Sequence, residues 1–141
     1  MRAGGSKAKG NRFENQVYDE IRKLGYWVRK NKGSGNAEDN KGDLETYNLL
    51  IECKHHKKAT PKLILNWMNK IYREAIAVDK YPILIVKENY KAPLVYFINT
   101  NGDLEDIGYD VWKNAALPLE KERIEFTSPP EIKKDAPWYI G

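Results

Sequence analysis

Asp43 is followed, after eight intervening residues, by Glu52-Cys53-Lys54. Those residue types at that spacing can do metal-assisted phosphodiester chemistry. Two carboxylates at the ends of adjacent short strands can converge on one point, and Glu52 and Lys54, two apart on a strand, project from the same face. A hard cation such as Mg²⁺ takes one or two carboxylates together with waters and phosphate oxygens. A lysine beside it can hold an attacking water and stabilise the charge that develops on phosphorus. Spacing alone also fits an exposed salt bridge at a strand end, an arrangement worth little stability. The context favours chemistry, because the apolar run Leu49–Cys53 ends abruptly in charge.

The elements needed to position these residues can be read along the chain. Residues 1–10 read as a flexible basic arm, with glycines at 4, 5 and 10 around Lys7 and Lys9. Phe13, Val17, Tyr18, Ile21 and Leu24 repeat at helical spacing, and Gly25 stops the helix. Tyr26-Trp27-Val28 reads as a short strand, and 30–42 as turn chemistry around Gly33-Ser34-Gly35-Asn36. Asp43–Tyr47 and Leu49–Lys54 form a hairpin-like pair, with Leu50, Glu52 and Lys54 on one face of the second run. Thr60 is an N-cap with Pro61 behind it, opening a helix to Asp79 with Leu63, Trp67, Ile71 and Ala75 on its buried stripe. Pro82–Val86 and Leu94–Ile98 are apolar runs suited to strands buried on both faces. The order predicts an α/β domain with a mixed sheet flanked by helices. Asn101-Gly102 is a hairpin turn signal; beyond it a short helix at 109–117, a short strand at 123–127 and an extended proline-containing tail are expected.

Composition narrows the class. The balance of 41% hydrophobic and 31% charged residues is that of a globular domain. No apolar run reaches the length of a membrane span, and one cysteine, Cys53, excludes an intrachain disulfide framework. These features give the expectation of a cytoplasmic, single-domain protein. Residues 1–80 carry 17 basic and 10 acidic side chains, a net of +7, while residues 81–141 carry 7 and 10, a net of −3. The positive half holds the Asp43 motif, and its field favours a polyanion. His55-His56 beside Cys53 does not offer a zinc site, since a second cysteine and a usual ligand spacing are lacking. Trp67 and Tyr72 read as helix packing; Trp112, Trp138 and Tyr139 could dock on the domain or across a dimer interface.

Asp43, Glu52 and Lys54 resemble the signature of the PD-(D/E)xK nuclease superfamily, and the element order is similar to its restriction-endonuclease-like core. Met1–Lys58 resembles, more narrowly, the Holliday junction resolvases of archaea and phages. The matching features are a basic glycine-containing start, Gly10-Asn11-Arg12-Phe13-Glu14, Gly25-Tyr26-Trp27-Val28, Gly33-Ser34-Gly35, Asp43 and Ile51-Glu52-Cys53-Lys54. The likeness continues more weakly to about Ile98. The proline expected before the first aspartate is Gly42 here, and residues from 99 on have no counterpart.

The resemblance implies a nuclease core over 11–99, and leaves 100–141 as a C-terminal extension packed on or near the core. It implies a Mg²⁺ ion, with Mn²⁺ able to substitute, on Asp43, Glu52, the Cys53 backbone carbonyl and Glu14, and no small-molecule cofactor. Lys54 would hold the water, and Ser34 would lie near the cleaved strand. Contacts to DNA phosphates are expected from Lys7, Lys9, Arg12, Arg29, Lys30, Lys32, His55, Lys57 and Lys58. The implied activity is paired nicking of a four-way junction by a homodimer, giving a 5′-phosphate and a 3′-hydroxyl. Alternatives are a related nuclease acting on flaps, single strands or duplex, and a DNA-binding module that has lost catalysis. From position alone, Glu14 could instead serve its helix dipole, and Ser34 its turn.

Overall fold

The computed structural model describes residues 5–31 and 42–116. In chain order it contains α1 (Gly5–Lys23), β1 (Arg29–Lys30), β2 (Leu44–Glu45), β3 (Leu49–His56), α2 (Pro61–Ala77), β4 (Tyr81–Glu88), β5 (Leu94–Ile98), β6 (Leu104–Gly108) and α3 (Tyr109–Val111). A π-helical turn, Trp112–Ala116, follows directly. The strands form one mixed sheet in the order β1-β2-β3-β4-β5-β6. Only the central pair β3/β4 is parallel, from Leu49 opposite Tyr81 to His56 opposite Glu88; the other pairs are antiparallel. A parallel pair requires a crossover, and α2 supplies it.

The period-two alternation of β3 decides which helix covers which face. Leu49, Ile51 and Cys53 join Phe13, Val17 and Ile21 of α1 in one core cluster, with Ile83, Ile85 and Val95. Leu50 turns the other way, onto Met68, Ile71 and Ala75 of α2, with Leu84 and Val86. With both faces covered, β4 is buried from Pro82 through Val86, as its continuous apolar run predicts. Thr60 caps α2 as expected, its side chain accepting from the Leu63 amide at 3.3 Å, with Pro61 in the first turn.

Three boundaries differ from the sequence reading. α1 begins at Gly5, so residues 5–10 are its opening turns rather than a loose arm. Extending an existing helix costs far less than nucleating one, and Lys7, Ala8 and Lys9 are good helix formers between the glycines. The strand expected at 26–28 forms instead at Arg29–Lys30, because Tyr26 and Val28 are drawn into the α1-side core and leave the ladder to the next residues. The third lies past residue 99, where the sequence reading places a short helix after the Asn101-Gly102 turn but no strand before it. β6 closes the sheet against β5, and Tyr109 and Trp112 complete the α1-side core. β6 is hard to see in sequence because it is an edge strand, with exposed Glu105 and Asp106 where a central strand would be apolar. The strand expected at 123–127 and the aromatics Trp138 and Tyr139 lie outside the described residues.

Candidate active site

β2 is only two residues long, and this brevity creates the site. It pairs Leu44 with Ile51 and Glu45 with Leu50, then stops, so β3 from Glu52 onward has an open edge towards β2. Asp43 stands where β2 would have continued. Its amide donates to the Ile51 carbonyl at 2.9 Å and its own carbonyl accepts from Asn31 at 2.9 Å. Its carboxylate Oδ2 accepts from the Cys53 amide at 2.8 Å, taking the place of a ladder partner. Groups from both faces of β3 can therefore meet around this edge: Glu14 from the α1 side, Glu52 and Lys54 from the α2 side.

Gly42 sets the angle of approach. Its φ is +69°, and a Cβ there would lie 3.0 Å from both Ile71 Cδ1 and Leu50 Cγ. Its amide donates to Glu74 Oε1 of α2 at 2.8 Å. A proline could satisfy neither requirement, since its φ is fixed near −65° and it has no N–H. Gly42 with Glu74 is thus this chain's own way of holding the following aspartate.

The electrostatics are those of a site short of positive charge. Burial, joined by the charge of Glu14, raises Asp43 to about 6, despite the Cys53 amide and Lys54, which pull it down. Burial and the charge of Asp43 raise Glu52 to about 7, against the opposing pull of Lys54 and Lys70. Burial also raises Glu14, which shares a hydrogen bond with Asp43. Lys54 Nζ lies 3.3 Å from Glu52 Oε2 and 5.6 Å from the centre of the Trp67 ring. Three clustered, desolvated carboxyls beside one close ammonium form a cation-seeking arrangement.

The donor set is all oxygen, which suits a hard divalent cation. Among the described residues no group of three Asp, Glu, His or Cys side chains is arranged to hold an ion alone. Two carboxylates, with waters and substrate oxygens completing the shell, meet the demand of such an ion without a full protein cage. An open cleft of about 210 Å³ leads to the site, lined by Glu14, Asp43, Cys53, Lys54, His55 and His56 among others. Cys53 reaches the cleft by its backbone, while its side chain belongs to the α1-side core and burial pushes the thiol up.

The expected phosphate contacts fall into distinct groups. Arg12, Lys57 and Lys58 are exposed. Lys9 Nζ donates to Asn89 Oδ1 at 3.0 Å, and His55 Nε2 meets the same oxygen at 3.0 Å. His55 and His56 end β3. Burial lowers both, opposed at His55 by the hydrogen bond to Asn89 and reinforced at His56 by the charge of Lys54. Arg29 is paired with Glu45, while Lys30 donates to Asn15 and sits 5.0 Å over the Tyr18 ring. Both already have partners within the fold. Lys7 is placed only as a backbone position of α1, and Lys32 and Ser34 lie outside the described residues.

Sequence reasoning missed Glu74, Asn89 and part of Trp67. Glu74 carries no local signal beyond its spacing from Lys70. Asn89 could have been suspected as the polar stop of β4. Trp67 packs with the α2-side core as expected, yet its ring also faces Lys54 and lies 4.7 Å from that of His56.

Residues 5–128 match the model of a family described as phage putative PDDEXK endonuclease. No curated protein and no solved structure matches the chain.

Proposed function

The chain belongs to this family of phage PDDEXK endonucleases and has its restriction-endonuclease-like α/β fold; from that premise we propose that it is a Mg²⁺-dependent DNA endonuclease that resolves four-way junctions. The observation that carries the reading is Asp43 at the open edge of β3, hydrogen-bonded to Glu14 and coupled in charge to Glu52, with Lys54 beside Glu52 and an open cleft lined by Glu14, Asp43 and Lys54.

Asp43, Glu52 and the Cys53 carbonyl would hold the cation, with Glu14 beside Asp43 as a further oxygen donor. A bound divalent ion supplies charge neutralisation and a more acidic water. Lys54 is held by the Glu52 carboxylate on one side and the Trp67 ring on the other, which keeps its ammonium at the cleft. There it would orient the attacking water and stabilise the growing charge on the phosphate oxygens. In-line attack forms the new P–O bond as the bond to the 3′ oxygen breaks, leaving a 5′-phosphate and a 3′-hydroxyl. The Cys53 amide fixes the Asp43 carboxylate without occupying both its oxygens.

The choice of a branched substrate is supported by the Gly10–Glu14 opening of α1 and the Ile51–Lys54 motif, which resemble the junction resolvases, and by the net charge of +7 over residues 1–80. A two-fold homodimer would match the symmetry of a four-way junction and deliver two opposed nicks. The test is cleavage of a labelled four-way junction beside duplex, flap and single-stranded DNA, with Mg²⁺ or EDTA, by wild type and Asp43→Asn. Symmetric, Mg²⁺-dependent nicks in the junction alone, absent in the variant, support the reading. Cutting confined to the other substrates keeps the chemistry and rejects junction specificity. Junction binding without any cutting would assign the chain to DNA binding alone.

A further inference from the structure

The turn joining β4 to β5 holds the most exposed large hydrophobic side chain among the described residues. Tyr90 has a relative exposure of 103% and a φ of +63°. The turn closes through the Lys91 amide on the Glu88 carbonyl at 3.2 Å, which makes Tyr90 its third residue. Glycine or asparagine normally takes a left-handed third position, and a β-carbon there costs of the order of 1 kcal/mol. Tyr90 thus combines a strained backbone with an aromatic ring left in water.

The turn is also fixed against the cleft. The residue before Tyr90, Asn89, donates its amide to the His56 carbonyl at 3.1 Å. Its side-chain oxygen meets both His55 and Lys9 at 3.0 Å, joining the end of β3, α1 and the turn in one hub. His55 and His56 line the cleft, and His56 is opposite Glu88 in the parallel ladder. Tyr90 therefore begins one strand spacing, about 4.8 Å, and two residues away from the cleft wall. Lys87 is held against the same turn, donating to the Lys91 carbonyl at 2.7 Å, and exposed Lys57 and Lys58 follow β3 at this end of the sheet.

We propose that Tyr90 is a stacking platform for an unpaired or flared base of the DNA strand entering the cleft, and so a residue that favours branched or frayed DNA over intact duplex. This rests on the nucleic-acid reading of the cleft. Every base presents a π-face, so such a platform needs no sequence preference, and only an unstacked base can reach it. The basic side chains around the turn would hold the flanking phosphates.

The test places 2-aminopurine at the unpaired nucleotide beside the branch of a forked DNA and measures quenching and affinity. The protein carries Asp43→Asn so that nothing is cut. Tyr90 and Tyr90→Phe should quench the probe. Tyr90→Ala and Tyr90→Gly should lose the quenching and bind the fork about 10-fold more weakly, the range of one base stack. Affinity for a fully paired duplex should stay unchanged. Tyr90→Gly relieves the left-handed strain, so its thermal midpoint should not fall, and weakened fork binding then cannot be ascribed to misfolding. Equal fork affinity in Tyr90→Gly and the parent, or equal losses on fork and duplex, overturns the proposal. Quenching that depends on Tyr90, in a chain whose wild type cuts no DNA, would uphold the platform while rejecting the nuclease reading.

Discussion

Two acidic side chains only two residues apart, Asp43 and Glu45, occupy opposite electrostatic worlds. Burial alone would raise Glu45, but hydrogen bonds from Lys80 and Arg29 override it and hold the carboxyl below the usual range. Lys80 Nζ lies 2.5 Å from Glu45 Oε2 and also donates to the Thr46 carbonyl at 2.7 Å. Asp43 is likewise desolvated, yet its nearest charges include another acid, Glu14, and it is driven up to about 6. The first site is complete within the protein and ties the β2–β3 turn to the start of β4. The second is left short of positive charge, which suits it to the cation proposed above. A buried acid given its partners by the fold stabilises that fold, and one denied them is available for chemistry.

The sharpest way to break this comparison is to remove a charge from each site. Asp43→Asn or Lys54→Ala should lower kcat on cleavable DNA by about 10³-fold, the scale of losing one preorganised electrostatic partner. In protein stripped of divalent ions the same Asp43→Asn change should leave the thermal midpoint unchanged or raise it by about 2–4 °C, because a repelled buried charge disappears. Glu45→Gln should do the reverse. Cleavage should persist, while stability falls by about 2 kcal/mol as Lys80 loses its buried partner; Arg29, mostly exposed, contributes little to that loss. Calorimetry beside a cleavage assay separates the two. A large stability loss in Asp43→Asn would mean that its site is structural.

Cation binding sharpens the same contrast. At a free Mg²⁺ concentration of about 100 times its dissociation constant, the native state should gain about 2.7 kcal/mol. Glu52→Gln should abolish most of that gain and Glu45→Gln none of it. In metal-free protein, Asp43 and Glu52 bind their protons more tightly folded than unfolded. Their contribution to stability is therefore full below the ordinary carboxylate range and is lost as pH rises through about 6 to 7. Glu45, held low, contributes above the ordinary range and loses its contribution as pH falls through its depressed value. Metal-free stability should accordingly decline from pH 5 to 8, and saturating Mg²⁺ should flatten that decline. A decline that Mg²⁺ leaves untouched would place its cause elsewhere.

Much of this was legible in the residues. The alternation of Leu49 to Lys54 sorts the two faces of β3, and Thr60-Pro61 marks the start of α2. The buried run of β4 and the position of Asp43 ahead of Glu52 and Lys54 follow from composition and spacing. What escaped depends on contacts distant in sequence. β6 is an edge strand whose charged residues mask its pairing, and α1 extends through a glycine-containing segment because a helix already exists to extend. Arg29 reads as a free cation until β1 is laid beside β2 and brings Glu45 opposite it. Asn89 and Glu74 gain meaning only when a turn and a helix 34 and 32 residues away from their partners are folded against them.

Glu74 supplies the smallest predicted effect. Its carboxylate takes the Gly42 amide from the α2 side, just as the Cys53 amide takes the Asp43 carboxylate from the β3 side. Asp43 is therefore held between two hydrogen bonds contributed by different elements. Glu74→Ala leaves the Gly42 N–H without that partner, at a cost of about 1 kcal/mol. It also lets the backbone before Asp43 relax, which should raise the Mg²⁺ concentration needed for half-maximal cleavage several-fold. Saturating Mg²⁺ should restore kcat to near the wild-type value, because the reacting groups are all present. Glu74→Gln keeps an acceptor oxygen and loses only the charge, so it should behave like wild type in the same titration. If Glu74→Gln fails as badly as Glu74→Ala, the carboxylate acts through its charge on the neighbouring acids and Lys70, not through its hold on Gly42. Asp43 would then owe its position to its backbone bonds with Ile51 and Asn31 and to the Cys53 amide, not to Glu74.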